Sequence, residues 1–318
     1  MTFSPSSMDG RPVRRHLLSL ADVDADELRL LVERGVQYAT VRHQGEPLAG
    51  TVIGVYFRRT STRTRTAFTA AALRLGASTI AYGPADLQLQ TGESVEDTGR
   101  VLSSMLDGLV ARTADDVAEL SGYAAQSRMS VINAMTAQEH PTQALSDLST
   151  MRAHFGGVDG LRVLYFGEGN NTAAALALAL PRFAGTALHL RTPAGYGLDE
   201  RVLAQAQVYA KGTGSVVAEL HDPHDLPSPV DVVYTTRWQT TGTSKQDPAW
   251  RTVFEPFQVN RAVLDTSPGA VFMHDLPAHR GDEVTAEVLD GPRSLAFRQA
   301  EFKLYGAMAV LEWCLRGR

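Results

Sequence analysis

The stretch FRRTSTRTRTAF, residues 57–68, decides how this chain folds. It follows an apolar run, residues 52–57, whose composition is typical of a buried parallel strand. After it, apolar residues recur at helical spacing as far as Leu75, and Gly76 favours the end of a helix there. Residues 61–65 are therefore predicted to lie where a strand ends and a helix begins.

The composition of residues 61–65 is that of an anion-binding turn. Backbone N–H groups at a helix start lack partners within the helix, and the positive end of the helix dipole favours an anion. The sequence adds three hydroxyl groups and two guanidinium groups, on Ser61, Thr62, Arg63, Thr64 and Arg65. A capped helix start with surface arginines is the alternative, but the alternation of five such residues favours a phosphate site.

The overall composition describes a globular protein with no general attraction for polyanions. The chain has 318 residues, 44% hydrophobic and 20% charged, with a net charge of −5. We therefore expect two domains, and neither nucleic acid nor a membrane as a partner. The single cysteine, Cys314, excludes an internal disulfide, and the spacing of Cys and His predicts no metal site. We find no pattern typical of a signal peptide, so a cytoplasmic location is expected.

Predicted strands and helices alternate along both halves of the chain. The strands after the first are expected at residues 78–82, 108–112, 131–134, 161–166, 187–191, 216–220, 230–235 and 270–274. Asp24, Ser94 and Pro141 suit helix starts. This alternation predicts an α/β fold of two doubly wound domains, each with a central parallel sheet, linked by interdomain helices. We place the domains at residues 1–155 and 156–300, and expect an apolar helix at about residues 301–318 to pack back on the first.

Polar side chains follow several of these strands. They are Arg112, the tetrad HPTQ at residues 140–143, Asn170 with Asn171, and the run HDLPAHRG at residues 274–281. Ligands of open α/β sheets bind at the carboxyl ends of the strands, so the set predicts one ligand-binding crevice. Each group also has a structural alternative, such as a solvated strand end or a helix cap. The turn GEGNN, residues 167–171, lacks the third glycine of a dinucleotide-binding fingerprint and gives little support for such a cofactor.

Taken together, these motifs resemble those of the ornithine and aspartate carbamoyltransferases, the ornithine branch above all. STRTR, the arginine after DG, HPTQ, GEGNN (similar to the family's GDGNN) and HDLPAHRG (similar to HCLPAHRG) occur in the family's order along nearly the whole chain. The phrases GESVEDTGRVL and DGPRSLAFRQAE are also similar. The resemblance implies transfer of a carbamoyl group from carbamoyl phosphate to an amine, with no cofactor or metal. It further implies a homotrimer with sites at the subunit boundaries.

The resemblance also implies which residues bind carbamoyl phosphate in the first domain and which bind the amine in the second. The first set is Ser61, Thr62, Arg63, Thr64, Gln88 from a neighbouring subunit, Arg112, His140, Gln143, Leu276 and Lys303. Thr64, Arg112 and His140 would be the catalytic members, because they would donate to the carbonyl oxygen as its negative charge grows. The second set is Asn170, Asn171, Thr236, Arg237, Thr240, Thr241 and Asp275. The amine would attack directly, so no nucleophilic side chain is required.

The expected acceptor side departs from the ornithine branch. Thr236 stands at the position of an aspartate, and residues 240–242 replace a serine–methionine–glycine run. Asp275 replaces a cysteine, and Lys303 replaces an arginine. One carboxylate is lost and another gained, which leaves two candidate acceptors: ornithine itself, or a specialised amine such as a 2,3-diaminopropionyl group in a peptide antibiotic. Asp275 either holds the acceptor's ammonium group or only forms an ion pair with Arg237 or Lys303.

A non-catalytic scaffold or anion-binding paralogue is the competing class of function. The complete STRTR, Arg112 and HPTQ set argues against it, because a scaffold has no need of these residues.

Overall fold

The computed structural model describes residues 14–41, 45–240 and 243–316. The chain forms two compact units: the described residues of Met1–Leu145 and Lys303–Arg318 make up the first, and those of Ser146–Phe302 the second. Each unit contains a parallel sheet flanked by helices, so the predicted α/β fold is confirmed. Within the described ranges, no helix has both the length and the apolar character needed to cross a membrane.

The first unit is built on a four-stranded parallel sheet with the order β2-β1-β3-β4. Its strands are β1 (Val52–Phe57), β2 (Ser78–Tyr82), β3 (Gly108–Arg112) and β4 (Ser130–Met135). The chain adds β2 on one side of β1 and then β3 on the other, so the strand order reverses between β1 and β3. Parallel α/β sheets bind ligands at the carboxyl ends of the strands beside such a reversal.

The helices of the first unit are α1 (Ala25–Thr40), α2 (Arg63–Arg74), α3 (Val95–Leu102), α4 (Val117–Ala124) and the start of α5 (Pro141–Phe155). Two of them, α1 and α3, begin at the capping residues that the sequence predicts. The Asp24 side chain accepts a hydrogen bond from the Glu27 amide at 2.7 Å, and Ser94 accepts one from the Asp97 amide at 3.0 Å. Such caps satisfy amides that a helix start otherwise leaves without a partner.

The second unit contains a five-stranded parallel sheet with the order β7-β6-β5-β8-β9. Its strands are β5 (Arg162–Phe166), β6 (Ala187–Arg191), β7 (Val216–Leu220), β8 (Val232–Thr235) and β9 (Val271–His274). The helices are α6 (Asn171–Ala179), α7 (Glu200–Thr213), α8 (Trp250–Phe254), α9 (Arg261–Asp265) and α10 (Ala286–Leu289). Strand order reverses between β5 and β8, so the turns after these two strands flank the switch point.

The last helix, α11 (Ala296–Arg316), begins five residues earlier than the sequence indicates. The prediction followed the apolar face that starts near Leu304. The earlier turns are instead held by Gln299, whose Nε2 donates to Asp147 and whose Oε1 accepts from the His274 amide, at 2.6 and 2.8 Å. Because these contacts are polar, the first turns of α11 show no repeating pattern of apolar residues from which a helix could be predicted.

Candidate active site

In the first unit, the predicted anion-binding turn lies between β1 and α2. Thr62 is exposed, Arg63 is half-buried as the first residue of α2, and Thr64 is buried. Thr62 occupies the N-cap position but makes no side-chain capping hydrogen bond, whereas α1, α3 and α4 each have one. The start of α2 therefore lacks the side-chain cap that the neighbouring helices have, as suits a site that takes an anionic ligand.

Arg112 is directed at this turn from the adjacent strand. It is the last residue of β3, in register with Phe57 of β1, and it is 7% exposed. Its Nη1 lies 3.4 Å from Ser61 Oγ, to which it donates. The reversal point of the sheet thus brings a buried guanidinium group to the hydroxyl-rich turn, and this combination suits a phosphorylated ligand.

His140 and Gln143 lie at the start of α5, which follows β4. His140 is buried, with its Nδ1 3.4 Å from Thr142 Oγ1. Burial, and then the charges of Lys303 and Arg112, lowers the pKa of His140 well below its ordinary value. The imidazole is therefore neutral at neutral pH, and it can donate one N–H to a carbonyl oxygen without first binding a proton.

Lys303 lies in α11 and belongs to the first unit. Its buried ammonium group donates a hydrogen bond to Gln143 Oε1. The family pattern has an arginine at position 303. The lysine that replaces it lies beside Gln143, which is predicted to bind carbamoyl phosphate.

The predicted carbamoyl phosphate set has two further members, Gln88 and Leu276. Gln88 is exposed at the start of a short 3-10 helix, Gln88–Thr91, and its Oε1 accepts from Thr91 Oγ1 at 2.9 Å. Leu276 follows β9 and belongs to the second unit.

In the second unit, the turn between β5 and α6 is fixed by a close backbone approach. A Cβ atom at Gly169 would stand 2.3 Å from the carbonyl carbon of Gly197 and from the Leu198 nitrogen. The Gly169 amide also donates to the Tyr196 carbonyl at 2.8 Å. Only glycine fits there, so the second glycine of GEGNN has a packing role that requires no dinucleotide.

Asn170 connects this turn to the segment after β8. Its Oδ1 caps α6 by accepting from the amides of Thr172 and Ala173, at 3.0 and 3.2 Å. Its Nδ2 donates to Thr236 Oγ1 and Thr240 Oγ1, at 3.0 and 3.2 Å. Both ends of the amide are thus engaged within the protein, so the side chain positions its neighbours.

Thr236 belongs to a buried chain of hydrogen bonds. Its Oγ1 lies 3.1 Å from the Tyr165 hydroxyl, which donates to the Glu168 carbonyl at 2.7 Å. Burial, more than any other cause, raises the pKa of Tyr165 well above its ordinary value, so the phenol keeps its proton. The chain therefore runs in one direction, from Asn170 through Thr236 and Tyr165 to Glu168. The threonine at position 236 serves this network and brings no charge to the site.

Asp275 lies at the end of β9, half-buried. Its Oδ2 accepts from Thr172 Oγ1 at 3.1 Å, and its Oδ1 lies 3.4 Å from His274 Nδ1. That nitrogen already accepts from the Leu276 amide at 2.8 Å, so the ring proton resides on Nε2, which faces Glu283 Oε1 at 3.2 Å. His274 Nδ1 thus has no proton to offer Asp275. Within the second unit, the Asp275 carboxylate is thus held by the Thr172 hydroxyl group.

The predicted acceptor set has three further members, Asn171, Arg237 and Thr241. Asn171 is buried in the first turn of α6, and Arg237 is half-buried next to Thr236. Thr241 lies outside the described residues.

Sequence reasoning missed Glu168 and Lys245. Lys245, with its side chain 6% exposed, pairs its ammonium group with the Glu168 carboxylate, which also accepts from Thr240 Oγ1 at 3.4 Å. A signal existed for Glu168, because GEGNN differs from the family's GDGNN at this position. The polar sequence around Lys245 gave none.

Two family models together match nearly the whole chain. The model described as the aspartate/ornithine carbamoyltransferase carbamoyl-P binding domain matches residues 15–153, and the one described as the Asp/Orn binding domain matches residues 159–314.

Curated relatives and solved structures agree with these matches. An ornithine carbamoyltransferase from Gloeobacter violaceus is 39% identical over 98% of this chain and 99% of its own length. An anabolic ornithine carbamoyltransferase from Pyrococcus furiosus is 38% identical over 95% of this chain and 97% of its own. The solved structure of ornithine carbamoyltransferase from Pyrococcus furiosus superposes with a TM-score of 0.90 at 36% identity, covering 96% of this chain and 98% of that one.

Proposed function

This chain belongs to the aspartate/ornithine carbamoyltransferase family, and from that membership we propose that it moves the carbamoyl group of carbamoyl phosphate to a primary amine. The products are phosphate and a ureido compound. The observation that carries the proposal is the buried Arg112 guanidinium group beside Ser61, at the start of a helix that lacks a side-chain cap.

The residues of the first unit have the chemistry that activation of carbamoyl phosphate needs. Ser61, Thr62, Arg63 and the start of α2 bind the phosphate dianion, and Gln143 binds the carbamoyl NH2. Thr64, Arg112 and the neutral His140 donate to the carbonyl oxygen, whose charge grows as the amine adds to the carbon. Fixed donors of this kind accelerate the reaction by stabilising that charge and by holding the carbon in place for attack.

Ornithine is the first acceptor to consider, because the relatives reported above are named ornithine carbamoyltransferases. A second candidate is another primary amine, such as the β-amine of a 2,3-diaminopropionyl group in antibiotic biosynthesis. It is favoured by the uncharged Thr236, buried in its hydrogen-bond chain, where the resemblance implies an aspartate. In either case Asp275, together with Asn171, Arg237 and the segment at residues 240–241, forms the acceptor side.

Carbamoyl-phosphate-dependent release of phosphate, measured with a panel of amines, tests the proposal. The panel contains ornithine, lysine, 2,4-diaminobutyrate, 2,3-diaminopropionate and its peptide amide, with identification of each ureido product. We expect amine-dependent phosphate release with at least one member. Phosphate release that no amine accelerates above the rate in water would refute the transferase function.

We also propose a homotrimer, in which Gln88 completes the site of a neighbouring subunit. Gln88 is exposed, and the first unit also exposes apolar side chains on the edge strand β2, in α3 and just after α3: Ile80, Val101 and Met105 are 44%, 49% and 63% exposed. Exposed apolar groups of this kind are typical of subunit contacts. Light scattering of the purified enzyme checks this, and a fully active monomer would refute it.

Carbamoyl phosphate is a dianion that does not cross a bilayer unaided. We therefore propose that the enzyme works in the cytoplasm, beside the source of its phosphorylated substrate. Fractionation of the cells that produce the protein would check the location.

A further inference from the structure

The second unit contains an aromatic cage occupied by the protein's own lysine. Lys245 Nζ lies 4.6 Å from the ring centroid of Tyr196, 5.0 Å from that of Phe254 and 5.6 Å from that of Trp250. Trp238 packs against Phe254 at 5.9 Å and extends the cage. Aromatic rings attract a cation through their negative faces, and the attraction grows when water is excluded.

The cage is closed by the Glu168 carboxylate, with which Lys245 forms an ion pair. Lys245 and Glu168 are 6% and 19% exposed. A half-buried carboxylate that loses its cationic partner is destabilised, because the little water that reaches it compensates its charge only in part. Lys245 therefore fixes the position of Glu168 and cancels its charge.

Glu168 in turn connects Lys245 to the acceptor residues. Its Oε2 accepts from Thr240 Oγ1, and the same hydroxyl accepts from Asn170 Nδ2, which also donates to Thr236. The turn after β5 and the segment after β8 are thus joined by contacts at Thr236, Thr240 and Lys245. Of these three residues after β8, Lys245 is the one with a charged side chain.

We propose that Lys245 is a positioning residue that determines acceptor specificity. Held in the cage, it orients Thr240 and keeps Glu168 from presenting a negative charge to the acceptor. The site then selects an acceptor whose ammonium group is recognised by the carboxylate of Asp275 and not by that of Glu168. This inference rests on the proposed function, because it assumes that the acceptor binds to the second unit.

Lys245→Met tests the proposal, because methionine has a similar length, packs well against aromatic rings and carries no charge. Misplacement of a binding group by a fraction of an ångström is costly, so we expect the KM for the acceptor to rise about tenfold. The KM for carbamoyl phosphate and kcat should stay near the parent values.

Lys245→Arg keeps a cation in the cage and should restore most of the acceptor affinity. Lys211→Met, at an exposed lysine of α7, is the matched control and should change neither constant.

A double variant separates the charge of Glu168 from its other contacts. Glu168→Gln removes the charge that Lys245 balances, so Lys245→Met combined with Glu168→Gln should bind the acceptor better than Lys245→Met alone. An unchanged acceptor KM in Lys245→Met, or an equal rise in both substrate KM values, would overturn the inference while leaving the transferase function intact. A parent enzyme that transfers the carbamoyl group to no amine would overturn the proposed function, and this inference with it.

Discussion

Replacing Arg112 with alanine is expected to lower kcat by about a hundredfold to a thousandfold, the usual effect of removing one donor from an oxyanion site. The guanidinium group is buried at the end of β3 and faces Ser61 across the start of α2. Neither water nor a neighbouring side chain can supply the same fixed positive charge to the carbonyl oxygen in the transition state. Steady-state kinetics at saturating carbamoyl phosphate and amine measures the effect.

Matched variants show whether the loss belongs to catalysis. Arg63→Ala, at the first residue of α2, should have an effect of similar size by weakening the hold on the phosphate. Arg74→Ala removes an exposed arginine from the far end of the same helix and should leave turnover near the parent level. Circular dichroism and thermal unfolding show that each variant is folded. A folded Arg112→Ala enzyme with near-normal turnover would contradict the assignment of the site.

The second large effect is expected at Asp275. Removing one partner from a desolvated charge pair typically costs 2–5 kcal/mol, so Asp275→Asn should raise the acceptor KM at least about thirtyfold. Asparagine can still accept the hydrogen bond from Thr172, so the local structure is retained. The KM for carbamoyl phosphate should change little. Asp199→Asn, at the N-cap of α7, is the control, because asparagine caps a helix as well as aspartate does.

The pH profile provides a second observation on Asp275. A carboxylate beside the bound amine stabilises the ammonium form and raises the pKa of the amine. Because only the neutral amine attacks, kcat should increase with pH in the parent enzyme, and the increase should move to lower pH in Asp275→Asn. Loss of carbamoyl phosphate affinity with unchanged acceptor affinity would show that Asp275 does not hold the acceptor.

Local signals in the sequence were enough to predict the scaffold and the arrangement of Ser61 and Arg112 that we propose for the phosphate. The buried strands β1 and β3 are short apolar runs, and the caps at Asp24 and Ser94 involve residues only three positions apart. The position of Arg112 beside Ser61 follows from the rule that carboxyl ends of parallel strands share one edge.

The acceptor side could be predicted only in part, because its contacts join distant parts of the chain. Asn170 and Thr236 are 66 positions apart, and Lys245 and Glu168 are 77 apart. Such pairings decide which polar atoms remain available to a ligand. The pairings themselves leave no periodic pattern in the sequence. The same reason explains the early start of α11, which depends on Gln299. The helix α7, which was not predicted, is mostly exposed and buries only Ala206 and Ala210.

The absent side-chain cap at the start of α2 has a thermodynamic consequence. A helix start without a cap is about 1 kcal/mol less stable than one with it, so the enzyme gives up stability where we propose that the substrate binds. A phosphate group that occupies the place of the missing cap returns that stability by mass action, and the product phosphate does so as well as the substrate. The melting temperature should therefore rise with the concentration of inorganic phosphate. Fold stability and product inhibition would then be two measurements of one binding equilibrium.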